Sequence, residues 1–438
     1  MKKILIAVAL IASVTFANAQ NNVKSLSAAK SALEAAEAAA NNAKKATKVA
    51  TWLKLASSYM DAYNAPMGNG WIGAQAQELN LVMGNQRPTS EENVEINGNQ
   101  YLKKAYPSAD YYFNQNGQLA VIKVTQPIVQ DALGKALNAY KSAFKNDPKG
   151  TKTADIIKGI QTVVEKYVQE AYDAYTFGDM ANASKLFEAA ANAVADAPSS
   201  KFDGESLYNA GFTALGAEDL ARAKSLFQKC LDNKYYGEEG DIYAKLADVT
   251  EKLGDKEGAK AILDEGSKAF PSSQSILIGL INYYVSSGQD TEQVFELLDK
   301  AKKNEPNNAS LYYVEGNIKK ELGKVDDAIA SYRKCAEINP NYEYGYIGEG
   351  LLLYNQAYDI QTEAESELDD AKYNALVDKF EAALKGCIAP FEKAIEVTKD
   401  ESLKPSIAEY LRNACYRFRE EPGFQEKYDK YAKMVNGE

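Results

Sequence analysis

Residues 311–340 read LYYVEGNIKKELGKVDDAIASYRKCAEINP. Tyr312 and Gly316 sit four apart, Gly323 follows a run of polar residues, and Ala328, Tyr332 and Cys335 recur at helical intervals before Pro340. That spacing predicts two antiparallel helices joined at Gly323. Small residues let the two axes approach, and large ones fill the gap to the next pair. A glycine permits the tight turn, and a proline stops the second helix because it cannot continue one. No catalytic site needs this arrangement, so it is read as architecture.

The same register recurs upstream. Residues 240–273 carry Tyr243, Leu246, Ala247, Gly254, Ala259, Leu263, Gly266 and Pro271 in those slots. Residues 274–308 carry Leu277, Leu280, Tyr284 and Gly288, then, after one inserted residue, Val294, Leu298, Ala301 and Pro306. Prolines 271, 306 and 340 thus fall 35 and 34 residues apart. Residues 204–237 (Leu207, Ala210, Gly211, Ala214, Ala223, Phe227, Cys230) and 164–197 (Tyr167, Ala171, Gly178, Ala183, Phe187, Ala190) complete five consecutive units. A fixed period of this length marks a solenoid.

The flanks read as interrupted units. Trp52, Leu55, Ala56 and Tyr59 match a first helix, and Ala136, Tyr140, Ala143 and Pro148 match its partner, with residues 64–127 inserted between them. The insert contains Asn97-Gly98 and Asn116-Gly117, each flanked by strand-like residues. Asn-Gly is the strongest short hairpin signal, so a small antiparallel sheet is predicted over 92–125, after a short helix near 73–83. An isolated hairpin is marginal in water, so this sheet must pack on the first repeats or on a partner. Toward the other end, Tyr346, Gly350 and Leu353 open a helix whose partner carries Cys387, Phe391 and Ala394, after the acidic stretch TEAESELDDAKYNALVDKF. The expected organisation is a leader over 1–19, an alanine-rich helix over 20–48, and an interrupted repeat over 49–148. A connector helix over 149–163, five repeats over 164–342, a repeat with an acidic insertion over 343–400 and a capping hairpin over 401–438 follow.

These motifs resemble the tetratricopeptide repeat, although Glu315 and Lys319 depart from its usual Leu and Tyr. The resemblance implies an all-α, right-handed superhelix of about seven to eight helical hairpins, with the β insert in its first repeat. It also implies that first helices line a groove for a peptide or protein. Carried over residue by residue, the groove slots hold Tyr172, Tyr175, Tyr208, Phe212, Asn282, Tyr313, Asn317, Tyr344 and Tyr354. Tyrosine offers rigid contact area with a polar tip, and asparagine offers both a donor and an acceptor to a peptide backbone. The basic clamp by which cytosolic chaperone adaptors of this family hold a C-terminal carboxylate is missing. Val168, Tyr208, Ala244, Ile278 and Tyr313 stand where its lysine would be.

The chain of 438 residues opens MKKILIAVALIASVTFANAQ. Lys2 and Lys3, an apolar run from Ile4 to Phe16 and the small-residue site Ala17-Asn18-Ala19 spell a secretory leader, too short for a stable membrane anchor. Cleavage before Gln20 leaves 48 basic and 61 acidic residues, a net charge of −13. Such a balance repels phosphate backbones and disfavours nucleic acid. The expectation is therefore an exported protein, most simply periplasmic in a Gram-negative envelope, with no integral membrane segment after cleavage.

The chain contains no histidine, which removes His-based acid–base and nucleophilic chemistry and the commonest metal ligand. Ser331 to Lys334 spells S-x-x-K inside a repeat helix without its companion motifs. The acidic run through Glu363, Glu365, Glu367, Asp369 and Asp370 lacks the glycine-bearing spacing of a calcium loop and reads as a solvated face. No cofactor and no enzymatic activity are expected. Cys230, Cys335, Cys387 and Cys415 fall in small-residue slots, which favours buried free thiols, with Cys387–Cys415 as the one pairing left open. The rival reading is a glycan or cell-wall binder whose tyrosines stack on sugars. It carries a distant resemblance to helical-repeat glycan-binding lipoproteins, against which the absent lipobox cysteine counts.

Overall fold

Four of the three-residue turns that join successive helices share one hydrogen-bonding pattern. In a computed structural model describing residues 23–83, 86–196, 198, 200–287 and 291–436, left-handed residues stand at Gly178, Glu218, Gly254 and Gly323. The following N–H in each case reaches back five residues, as in Asp179 to Ala174 and Lys324 to Lys319, both at 2.9 Å. This bond satisfies a helix-end carbonyl, and three residues separate the two helices at each of these turns. The proposed leader (1–19) and Gly288 lie outside the described residues.

The chain divides into two units, residues 1–259 and 260–438. In the first, α1 (Leu26–Ala40) lies on α2 (Val49–Asn64), and a short helix α3 (Ala76–Val82) precedes the sheet. The strands are β1 (Ser90–Ile96), β2 (Asn99–Ala105), β3 (Ala109–Phe113) and β4 (Leu119–Val124). Then come α4 (Ala132–Lys145), α5 (Thr153–Thr176), α6 (Met180–Ala195), α7 (Gly204–Gly216), α8 (Leu220–Asp232), α9 (Asp241–Lys252) and the start of α10 (Lys256–Ala269). Leu55, Ala56, Ala136, Tyr140 and Ala143 share one core, so α2 pairs with α4 across the whole insert. Residues 149–163 are not a separate connector helix. Nothing in TADIIKGIQTVVEKYVQEAYDAYT interrupts the helical hydrogen bonds, and α5 runs unbroken from Thr153 to Thr176. Helix α1 is docked rather than loose: Leu33 and Ala36 join the core, and Tyr59 donates to Glu37 at 2.8 Å.

The insert forms a four-stranded antiparallel meander in the order β1-β2-β3-β4. Asn97 and Gly98 both adopt positive φ, the twist-compatible hairpin turn. At the second Asn-Gly pair only Gly117 is left-handed. Asn114 there accepts from the Gly117 N–H through its carbonyl and from the Asn116 and Gln118 N–H groups through Oδ1. A longer loop results, with a register shift at Tyr112/Phe113. One sheet face (Tyr111, Phe113, Leu119, Ile122) packs on Ala74 and Leu79. From the other, Tyr112 meets Phe177 edge-on at 5.0 Å and Lys123 covers that ring at 5.2 Å, while Asn97 Nδ2 donates to Thr176 O at 2.8 Å. The sheet is thereby fastened to the C-terminal end of α5.

The second unit contains the rest of α10, then α11 (Gln274–Ser287), α12 (Thr291–Asn304), α13 (Ala309–Glu321), α14 (Val325–Ile338) and α15 (Glu343–Ser366). It ends with α16 (Asp370–Gly386), α17 (Ile388–Val397), α18 (Leu403–Arg417) and α19 (Phe424–Asn436). The quoted stretch is α13 and α14. A Cβ on Gly316 would come within 2.6 Å of the Tyr332 ring, and one on Gly348 would do the same from α15. The buried tyrosine is therefore gripped between two helices that only glycine lets so close. The acidic stretch forms the end of α15 and the start of α16, where Asp369 caps α16 by accepting the Lys372 N–H at 3.0 Å. All four cysteines are free and buried. Among the described residues no helix is long and apolar enough to cross a membrane.

Candidate binding surfaces

In the first unit, α5 and α7 carry the candidates Tyr172, Tyr175, Tyr208 and Phe212. Tyr172 is 8 % exposed and meets Phe187 edge-on at 5.2 Å. The carry-over placed it in an outward slot, but its ring wedges the α5–α6 hairpin and belongs to the core. Tyr175 is half-buried. Tyr208 donates to Asp241 Oδ2 at 2.7 Å, and Lys245 lies over the Phe212 ring at 5.8 Å, so α7 and α9 share one polar and aromatic surface. The Asp241 Oδ1 atom is buried without a hydrogen-bond partner, and burial raises this carboxyl, against the Tyr208 bond and the charge of Lys245.

The residue reading overlooked a second feature of α5. Gln169 and Glu170 stand three and four residues after Lys166, and Asp173 four and three after them, so the four share a helix face. Burial pushes Asp173 up to about 7, with Glu170 adding to the shift while a 2.9 Å bond from Gln169 Nε2 and the Lys166 charge oppose it. Burial also raises Glu170, against a hydrogen bond from the Tyr63 hydroxyl, and lowers Lys166. The spacing was visible in the sequence, but its desolvation was not.

In the second unit, Asn282 is exposed on α11. Tyr313, on α13, lies 5.6 Å from Tyr344, 6.4 Å from Tyr342 and 5.9 Å from Tyr332 between ring centroids. Tyr342 and Tyr344 are 5.4 Å apart. These rings come together because Asn339 to Tyr342 turn the chain tightly between α14 and α15. Tyr344 is 38 % exposed, whereas Tyr313 also packs on the core around Tyr332. Asn317 Oδ1 accepts the Tyr332 hydroxyl at 2.8 Å, so its acceptor is already engaged in packing. Tyr342 completes the cluster and was not singled out from the sequence. Its position before the first helical residue of α15 was the available signal. Tyr354 stands apart, edge-on to Tyr410 at 5.0 Å and lining a cleft beside α16 and α18.

Within each unit, then, helical hairpins interlock small against large residues, which is the construction of a helical-repeat scaffold. Residues 309–342 match the sequence model of the tetratricopeptide repeat, and this segment is such a repeat. No curated protein matches the chain. Among solved structures, the chain is similar to MamA (18% identity, 44% of this chain and 94% of that one, TM-score 0.34). It is also similar to YrrB, described as a TPR protein with an unusual peptide-binding site (18% identity, 42% and 95%, TM-score 0.33). A monomeric mutant of IFIT1 with Gppp-AAAA is similar at 16% identity (68% of each chain, TM-score 0.37).

Proposed function

We propose that this chain is a non-catalytic, exported scaffold that binds an extended peptide or protein segment over Tyr313, Tyr342 and Tyr344. The observation that carries this reading is the tyrosine cluster itself, at the start of first helices α13 and α15. Three rings with centroids 5.4–6.4 Å apart offer a rigid, amphipathic surface that loses little side-chain entropy on binding. Tetratricopeptide scaffolds serve protein interaction, and residues 309–342 are such a repeat. The leader-like N-terminus supports export to the periplasm, and a mature N-terminus at Gln20 in protein recovered from the envelope is the expected result.

The test is affinity capture from native envelope extract, read by mass spectrometry, with the mature chain and a Tyr344→Ala variant as baits. Tyr344 is the probe because Tyr313 and Asn317 also serve packing. A partner held by the first bait should be recovered about tenfold less on the second, as for an interface tyrosine worth ~1.4 kcal/mol. Equal recovery on two equally folded baits would remove the cluster from the binding surface.

A further inference from the structure

The C-terminal half of the second unit holds an open cleft of about 510 Å³ between α15, α16 and the end of α18. Its volume lies within the range of small-molecule sites. Ala357, Leu384 and Phe418 are buried at its floor. On the walls, Tyr358 is 64 % and Tyr416 51 % exposed, the two most exposed tyrosines among the described residues. Gln361 adds a planar amide that both donates and accepts, and Asn413, whose Oδ1 accepts from Arg412 at 3.1 Å, adds amide N–H donors.

The charges around this cleft are balanced and largely spoken for. Glu381, Glu420 and Glu421 line it together with Arg417 and Arg419, and Lys385 reaches in from α16. Arg417 pairs with Glu381 at 2.8 Å and Lys385 with Glu421 at 2.9 Å. Arg419 lies flat over the Tyr416 ring at 4.1 Å, and Lys385 over Phe418 at 4.6 Å. Three acids face three bases, two of each already paired, so the cleft carries no surplus charge that would select an ionic ligand. What remains on offer is the exposed ring of Tyr358 beside planar hydrogen-bonding groups.

We infer that this cleft is a binding site for a neutral oligosaccharide. A pyranose ring presents C–H groups on its flat face and hydroxyls around its edge. The C–H face suits the electron-rich face of Tyr358, and neighbouring hydroxyls suit the amides of Gln361 and Asn413. The site is separate from the tyrosine cluster proposed for peptide binding, so either reading can fail without the other.

The mature chain is applied to an array of neutral tri- to hexasaccharides of glucose, mannose, galactose and N-acetylglucosamine, with uronic-acid oligosaccharides alongside. The best binder is then titrated by calorimetry against Tyr358→Ala, Asn413→Asp and, as a control from the other surface, Tyr344→Ala. At least one neutral oligosaccharide should bind, weakened about fivefold or more by Tyr358→Ala and by Asn413→Asp, and unchanged by Tyr344→Ala. Both test positions are exposed, and equal circular dichroism confirms their folding. Failure of every neutral oligosaccharide to bind, binding of the acidic ones alone, or unchanged affinity in both cleft variants would overturn the assignment.

Discussion

A free aspartate is ionised near neutral pH, but Asp173 is held on α5 where water is scarce, with Glu170 close by. Its carboxyl titrates near 7 in the folded chain, against 3.8 as the ordinary value. The folded state therefore binds more protons than the unfolded state between those values, and the stability contributed at this position falls as pH rises through that window. Below the lower value both states are protonated and the penalty is absent. Asp173→Asn should accordingly raise the melting temperature at pH 8 by a few degrees, on the order expected for about 1 kcal/mol, and leave it unchanged near pH 3.5. Thermal melts of the two proteins across that range check this, and a pH-independent difference would point to packing rather than ionisation. The same position shows where residue-level reading stops. The order Lys166, Gln169, Glu170, Asp173 is plain in the sequence, yet whether such a face is solvated or covered depends on what folds over it. Tyr172 and Asn317 fail as free groove residues for the same reason, since Phe187 and Tyr332 reach them from other helices.

The helical hairpin is the element this chain repeats, and its turns differ in one informative way. Three of the four matching turns place glycine in the left-handed position, whereas the turn between α7 and α8 places Glu218 there at φ 60°. Its hydrogen bonds match those of its glycine counterparts, with Asp219 N–H reaching Ala214 O at 3.0 Å. A side chain with a Cβ is strained in this conformation, and glycine relieves the strain while adding freedom to the unfolded chain. Glu218→Gly should stabilise the protein by roughly 0.5–1 kcal/mol, measured as a higher urea midpoint at unchanged slope. A loss of stability would mean that the Glu218 side chain makes a contact worth more than its strain. The hairpins themselves were legible because small and large residues must alternate where helix axes approach, and the sheet because Asn-Gly at 97–98 demands its turn. The unbroken α5 was missed although nothing in its sequence stops a helix, and the longer loop at Asn116-Gly117 was missed because Asn114, outside the Asn-Gly pair, sets it.

At the scale of the molecule, the four thiols report on how the chain opens. Burial pushes Cys230 and Cys387 up to about 12 and Cys335 and Cys415 up to about 11, so none is a reactive thiolate at neutral pH. A thiol reagent can therefore modify them only after local or global unfolding. Cys230 lies in the first unit, and the other three lie in the second. Repeat arrays hold together through neighbouring contacts alone, so cooperativity across so long a chain breaks down into blocks. Brief maleimide labelling along a urea series, read by peptide mass spectrometry, should give one midpoint shared by Cys335, Cys387 and Cys415 and a distinct one for Cys230. Four coincident midpoints would instead make the whole chain a single cooperative block, and substitutions near either the tyrosine cluster or the oligosaccharide cleft would then be felt throughout. With separate midpoints, the second unit carries both proposed surfaces on one cooperative body, and a variant such as Tyr358→Ala leaves the first unit, with its buried Asp173, undisturbed.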